Sequence, residues 1–159
     1  MEAVDAELHG WQSAPHPSKA ATDATYVRIL DRALSPDVAA CVRVGVAGHN
    51  LYHLALAHLL ATRRGVAHAM DVEMLQGMAP GQARAVKESV GAVLLYTPVV
   101  AAADFDVAVS YLVRRLEENA APQNFLHHSI SVDGRSRAEE DFRASVREAA
   151  TVSTTPRRG

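Results

Sequence analysis

The chain has 159 residues, of which 48% are hydrophobic and 21% charged, and its formal net charge at pH 7 is −2. These values are typical of one soluble globular domain. A weakly acidic chain offers no electrostatic basis for binding nucleic acid, which requires a basic face. The single cysteine, Cys41, excludes an intrachain disulfide and favours a reducing compartment.

Neither a secretion signal nor a membrane span is predicted. The N-terminal residues are acidic and polar, unlike a signal peptide. The longest apolar stretch, residues 90–103, is shorter than the ~20 residues that cross a bilayer, and it contains Pro98. We therefore expect a soluble protein in the cytoplasm.

The first part of the chain predicts a helix, a loop and a second helix. Residues 1–8 contain good helix formers without a preceding cap, which indicates that the chain starts inside an element. Residues 10–19 contain two prolines and are predicted to form a loop. Thr22 or Asp23 can cap the second helix, which extends to Leu34 and ends at a Ser-Pro pair.

Three short strand-like runs then alternate with helices. The predicted strands are residues 42–47, 70–75 and 93–97, and the predicted helices are residues 51–64, 80–90 and 104–119. This alternation favours an α/β fold with a parallel sheet and right-handed crossovers. The first and third runs are almost continuously apolar, which is typical of strands covered on both faces.

Three β/α units are fewer than a complete parallel barrel contains, since such a barrel takes eight units and about 250 residues. A partial TIM-like barrel is the favoured fold, and a doubly wound three-stranded sheet is the alternative. The outer strands would expose unpaired backbone edges, which predicts self-association unless another segment covers them.

The sequence changes character after about residue 130. Residues 131–137 are polar, residues 138–150 predict a charged helix, and residues 152–159 are typical of a linker. We therefore divide the chain into residues 1–130, which carry the β/α units, and residues 131–159, a charged helix and linker tail.

Four stretches resemble a known family: GVAGHNLYHLALAHLL at 45–60, EMLQGMAPGQARAV at 73–86, LLYTPV at 94–99 and YLVRRLEENAAPQNFL at 111–126. They are similar to the later strands and the last helix of the proline dehydrogenase family. The similarity is greatest to its bifunctional bacterial members, proline utilization A, which join this domain to an aldehyde dehydrogenase. It covers residues 1 to about 127, and YLVRRLEEN is its most specific part.

The resemblance implies strands 6–8 of a (β/α)8 barrel and the FAD-dependent oxidation of L-proline to 1-pyrroline-5-carboxylate. In the family, a flavin-contacting motif and strands that carry an Asp and a Lys precede the matching region. We therefore expect a fragment that does not retain FAD by itself. Its expected partners are the N-terminal half of the barrel or an aldehyde dehydrogenase domain. The alternatives are an inactive truncated or split-gene fragment and an anion-binding module.

Arg114, Arg115 and Glu118 are the candidate substrate-binding residues on the last helix of the barrel. A guanidinium binds a carboxylate through two parallel hydrogen bonds. Glu118 lies four residues after Arg114, where it can fix that guanidinium or face the substrate ammonium. An exposed helix face with an ordinary ion pair has the same spacing, but the resemblance favours the substrate site. By resemblance, Tyr96 and Leu75 form walls around the proline ring.

Gly48, His49, Asn50, Ser18 and Lys19 are the candidate flavin-binding residues, by resemblance alone. His49 and Asn50 match a His-Asn pair at the flavin, and Ser18 and Lys19 match a hydroxyl residue and a lysine in a nearby loop. The family usually has Ser or Thr where this chain has Gly48, so a hydroxyl that can bond the cofactor is missing. Considered alone, a histidine on an apolar scaffold is more often structural.

No metal site is predicted, because the eight histidines show no paired ligand spacing. The GxGxxG and P-loop patterns are absent, which argues against a Rossmann domain or a kinase. No catalytic base is assigned.

Overall fold

The computed structural model describes residues 2–122, 124–128 and 132–156. The helices are α1 (Glu2–His9), α2 (Lys19–Ala33), α3 (Pro36–Ala39), α4 (Leu51–Arg63), α5 (Pro80–Val90), α6 (Phe105–Ala120), α7 (Phe125–His128) and α8 (Val132–Glu148). The strands are β1 (Val44–Ala47), β2 (Met70–Leu75) and β3 (Leu94–Tyr96). Short 3-10 turns lie at Ala67–Ala69 and Ala102–Asp104.

The three strands of the described chain form one parallel sheet in the order β1-β2-β3. Val46 pairs with Val72, and Leu75 pairs with Tyr96, so the carboxyl ends of the strands lie along one edge. The predicted α/β class and the parallel pairing are confirmed. Helices α4 and α5 follow β1 and β2 as expected, and β2 and α5 have their predicted bounds.

Helix α2 begins earlier than the sequence analysis predicted, so the assignment of Thr22 or Asp23 as its cap was wrong. Ser18 is the cap: its backbone is extended (φ −145°, ψ 157°), and its hydroxyl accepts a hydrogen bond from the Ala21 N–H at 3.2 Å. The preference of Ser for the cap position explains the earlier start, since Lys19 and the two alanines after it are good helix formers.

The core fills one face of the sheet, between the strands and helices α2, α4 and α5. Val46, Val72 and Met74 point into it from the strands and are at most 2% exposed. Leu34 and Ala57 complete the contact from the helix side, each 0% exposed. Close packing of this kind makes the α2–β1–α4 side of the sheet rigid.

The opposite face of the sheet is open in the described chain. Every residue of β3 is exposed, including Leu94 at 57% and Tyr96 at 46%. The neighbouring helix α6 buries Ala108, while Phe105 and Leu116 are 66% and 63% exposed. The prediction that the third strand is covered on both faces is wrong for the described part of the chain, because no residue of β3 is buried there. Its apolar composition fits a surface that another segment covers.

Helix α8 packs across α2 and α4. It begins at Val132 rather than at residue 138, so the predicted polar segment is largely helical, and Gly134 is tolerated inside the helix. Phe142 stacks on Tyr52 of α4 at 5.3 Å between ring centroids. The side chain of Arg28 donates hydrogen bonds to the carbonyls of Ala149, Ala150 and Val152, the last at 2.9 Å. No helix in the described ranges is long and apolar enough to cross a membrane.

Candidate functional site

A cavity of about 590 Å³ opens at the carboxyl-terminal edge of the sheet. Ligand sites of parallel α/β proteins lie at this edge, because the loops that follow the strands meet there. The structure brings eight of the ten predicted site residues to its wall: Lys19, Gly48, His49, Asn50, Leu75, Tyr96, Arg115 and Glu118. Arg114 and Ser18 do not line it.

Arg115 is the cation of the α6 wall. Its guanidinium carbon lies 5.4 Å from the centre of the Tyr111 ring, and its Nη2 forms an ion pair with Glu118. Its Nε is buried and has no hydrogen-bond partner among the described residues. An aromatic face on one side and a carboxylate on the other therefore hold a half-buried guanidinium at the cavity.

The ion pair differs from the one that the spacing predicted. Glu118 pairs with Arg115, three residues before it, and the proposed pairing with Arg114 was wrong. Tyr111, Arg115 and Glu118 follow one another at intervals of four and three residues, so they share one face of α6. Arg114 lies about 100° around the helix from Arg115 and is exposed.

Tyr96 and Leu75 form the apolar wall beside Arg115. They occupy paired positions on β3 and β2, so their side chains leave the sheet on the same face. The Tyr96 ring meets the Tyr111 ring edge to face at 6.2 Å. The sequence analysis missed Tyr111, although its position four residues before Arg115 is the spacing of helix neighbours.

His49 lies at the end of β1 with its ring nitrogens in different environments. Nε2 accepts a hydrogen bond from the Leu75 N–H at 3.0 Å, which assigns the ring proton to Nδ1. Nδ1 is buried and has no hydrogen-bond partner in the described chain. Burial lowers the pKa of His49, so the ring is neutral near pH 7. An N–H donor is therefore available at the cavity wall.

The two neighbours of His49 have simpler roles. The Asn50 side-chain oxygen caps α4 by accepting from the Tyr52 N–H at 3.0 Å. At Gly48 no heavy atom lies within 4 Å of the position that a Cβ would take, so the cavity has open space there.

Helix α2 forms the wall opposite α6. Lys19 forms an ion pair with Asp23, and both line the cavity. The Tyr26 hydroxyl donates to the Ala47 carbonyl at 3.0 Å, and burial raises the pKa of Tyr26. The ring of buried His53 lies 5.0 Å from that of Tyr26. Of these residues only Lys19 was predicted for the site, because tertiary packing brings Asp23 and Tyr26 of α2 and His53 of α4 to the cavity wall.

Glu73 is a further acidic residue of the cavity wall that the sequence analysis did not single out. It lies on the open face of β2, two residues before Leu75. Its carboxylate lies directly against Gly45, and a larger residue there would require the Glu73 side chain to shift. The glycine of β1 therefore provides space for the carboxylate on β2. Among the described residues, no group of three or more His, Cys, Asp and Glu side chains could hold a metal ion.

The cavity combines features that suit two kinds of ligand group. A guanidinium between aromatic and apolar walls suits a small carboxylate that carries a ring. The free N–H of His49 and the open space at Gly48 suit a polar planar group. The fold and the site thus define an α/β protein with a small-molecule site at the carboxyl ends of a parallel sheet.

The family follows from comparison with known proteins. The family model described as proline dehydrogenase matches residues 1–128. The chain therefore belongs to the proline dehydrogenase family. No curated protein sequence matches it.

Two solved structures cover almost all of the chain. Proline Utilization A (PutA) from Corynebacterium freiburgense matches 99% of this chain at 51% identity with a TM-score of 0.83. PutA from Bdellovibrio bacteriovorus, inactivated by N-propargylglycine, matches 99% at 26% identity with a TM-score of 0.78. The chain spans 15% of the length of the first and 16% of the second. The predicted similarity to proline utilization A is confirmed.

Proposed function

We propose that this chain contributes the substrate-carboxylate site and part of the flavin site to an enzyme that oxidises L-proline to 1-pyrroline-5-carboxylate with FAD. The observation that carries the proposal is Arg115, held between the Tyr111 ring and Glu118 at the wall of the cavity. Family membership supports proline as the substrate, and the parallel β/α units support strands 6–8 of a barrel. The reaction belongs to proline catabolism.

Arg115 binds the substrate carboxylate in this proposal. The guanidinium offers paired N–H donors in one plane, which match the two oxygens of a carboxylate. Glu118 orients the guanidinium and lowers the net positive charge of the site. Arg114 remains a predicted second ligand that is exposed in this structure. Reaching the same carboxylate would require its side chain to turn toward the cavity.

Tyr96 and Leu75 would confine the proline ring at the cavity wall. Oxidation removes a hydride from ring C5 and a proton from the ring nitrogen, which leaves the C5=N bond of the product. FAD, when bound, supplies the hydride acceptor. The protein then contributes orientation, because a ring held between Tyr96 and Leu75 and anchored through its carboxylate has few positions available.

The residues at the end of β1 fit the flavin. His49 presents a buried Nδ1–H that has no acceptor among the described residues, and flavin oxygens and ring nitrogens are acceptors for such a donor. Gly48 leaves room beside it, Asn50 lines the same wall, and Lys19 can offer a positive charge from α2. Ser18 would act indirectly, by capping the helix that presents Lys19.

The open face of β3 and α6 supports a further segment as the partner of this chain. Leu95, Phe105 and Val113 are all at least 47% exposed, and β3 ends the sheet of the described residues. An apolar face beside a free strand edge is typical of a surface that pairs with another strand and its helix. We propose that the earlier strands of a proline dehydrogenase barrel, in the cytoplasm, cover it.

The test is complementation. The chain is mixed with strands one to five of the proline dehydrogenase barrel of C. freiburgense PutA, with each piece alone as the control. We expect a complex that gains flavin absorbance and reduces an artificial electron acceptor with L-proline but not with D-proline. Well-folded pieces that bind carboxylates without proline-dependent reduction would refute catalysis and leave the chain as an anion-binding module.

A further inference from the structure

The position of helix α6 relative to the sheet depends on few contacts. Of the residues of α6 in the described chain, Ala108 is the one that is buried. Leu112 and Val113 are 38% and 47% exposed. Helices in proteins are usually held by burial of an apolar face, which α6 lacks here. Side-chain contacts with β3 and with the loop after β2 therefore help to set where the helix presents Arg115, in addition to its contact with α7.

Two such contacts lie symmetrically about Arg115. Four residues before it, the Tyr111 ring meets Tyr96 of β3. Four residues after it, the Asn119 side-chain amide lies within hydrogen-bonding reach of the Met78 sulfur. Residues four apart lie one above the other on a helix, so Tyr111, Arg115 and Asn119 form one row toward the cavity. All four residues of the two contacts line the cavity.

Met78 sits on a loop whose backbone is tightly constrained. Gly77 has φ +82°, and Ala79 has φ +45°, which is uncommon for a residue with a side chain. Such a conformation persists only where the surrounding structure determines it. The Gln76 N–H donates to the Tyr96 carbonyl at 2.8 Å, which ties the loop to β3. The loop therefore presents the Met78 thioether from a fixed platform.

We propose that Met78 and Asn119 are positioning residues, whose thioether–amide contact sets the placement of the Arg115 guanidinium in the cavity. The inference rests on the proposed function, because it gives Arg115 the substrate carboxylate. The Met78 thioether is a weak acceptor on a flexible stem, so it can reach the Asn119 amide on the helix. It does not compete with a carboxylate for the Arg115 guanidinium. The Met78–Asn119 contact and the Tyr96–Tyr111 contact thus hold α6 on both sides of Arg115.

The experiment compares methionine variants of the whole chain by NMR of arginine side chains. The buried Nε–H of Arg115 should exchange slowly with water, which makes its signal observable. Met78→Leu keeps the size and removes the acceptor, whereas Met78→Gln supplies an amide oxygen in its place. Met70→Leu is the matched control, because Met70 is a half-buried methionine at the far end of β2, the strand that precedes the Met78 loop.

We expect Met78→Leu to shift or broaden the Arg115 signal, Met78→Gln to restore it, and Met70→Leu to leave it unchanged. In the complemented enzyme, Met78→Leu should weaken L-proline binding about two- to fivefold, the effect of losing one weak neutral hydrogen bond. An unchanged Arg115 signal in folded Met78→Leu would overturn the inference.

A second variant tests the same inference if Met78→Leu does not fold. Asn119→Leu has a similar size, no amide donor and no charge, so it should shift the Arg115 signal in the same way, and an unchanged signal would again overturn the inference. The proposed function is tested separately, by adding L-proline to the complemented wild type. If Arg115 responds to Met78→Leu but not to proline, the positioning stands and the proposed substrate is wrong.

Discussion

The two walls of the cavity are built in different ways. The α2–β1–α4 wall rests on the close-packed core, where Leu34 and Ala57 are completely buried. The β3–α6 wall rests on a few side-chain contacts, and its large apolar residues remain exposed. The wall that carries the flavin-binding candidates is therefore held in place by the core of the chain. The wall that carries the substrate-binding candidates takes its geometry from contacts that are individually weak.

The largest expected difference between the walls is in stability. Leu34→Ala should lower the free energy of unfolding by about 2–5 kcal/mol, because it leaves a cavity in the core. Leu116→Ala, the same change at a side chain that is 63% exposed on α6, should cost less than about 1 kcal/mol. Urea unfolding of both variants measures this. Equal losses would mean that α6 is packed as tightly as α2.

The next effect distinguishes the two arginines of α6. In the complemented enzyme, Arg115→Lys should weaken L-proline binding by about 1.5–3 kcal/mol, roughly ten- to a hundredfold, because lysine loses the planar pair of donors. Arg114→Lys is the control and should change binding far less, since Arg114 is exposed outside the cavity. The measurement is the KM for proline with kcat recorded beside it. A larger loss in the Arg114 variant would reverse the assignment.

A smaller effect is expected at the start of α2. Ser18→Ala removes the hydroxyl that caps the helix and should lower stability by ~1 kcal/mol. Thr22→Ala, at the position that the sequence favoured as the cap, should cost less. Thermal unfolding of the two variants decides between these positions. A greater loss for Thr22→Ala would place the cap there after all.

The smallest effect concerns pH. Burial lowers the pKa of His53, with Lys19 adding to the shift and Asp23 opposing it. The folded chain therefore binds fewer protons than the unfolded chain below the ordinary histidine pKa of about 6.5. Stability that is present above this pH is lost as the pH falls. His53→Phe, which fits between the Tyr26 and Phe142 rings, should flatten the pH profile of urea unfolding. An identical profile would show that His53 does not contribute.

The sequence predicted best the elements whose ends carry strong local signals. Strand β2 and helix α5 have their predicted bounds because Gly77 and Pro80 separate them. The start of α8 was wrong because Gly134 argues against a helix locally, whereas the packing of α8 on α2 and α4 overrides that preference. Local sequence signals thus determine the ends of most helices and strands. Tertiary contacts determine an end where they override the local signal.

The candidate site was predictable to the extent that its residues lie on one motif or at strand ends. The eight predicted residues on the cavity wall follow from family similarity and from the parallel sheet. The partner of Glu118 did not follow, because intervals of three and four residues both place charges side by side on a helix. Met78 and Asp23 were assigned no role in the site from sequence, since they reach the cavity through the packing of separate elements.

Arg28 links the end of the described chain to the candidate site. Its guanidinium holds the carbonyls that end α8, and it projects from the helix whose first residue is Lys19. The nine residue steps from Lys19 to Arg28 span roughly 14 Å of continuous helix, at 1.5 Å per residue. Helix α2 thus connects the segment that follows α8 with Lys19 at the cavity wall.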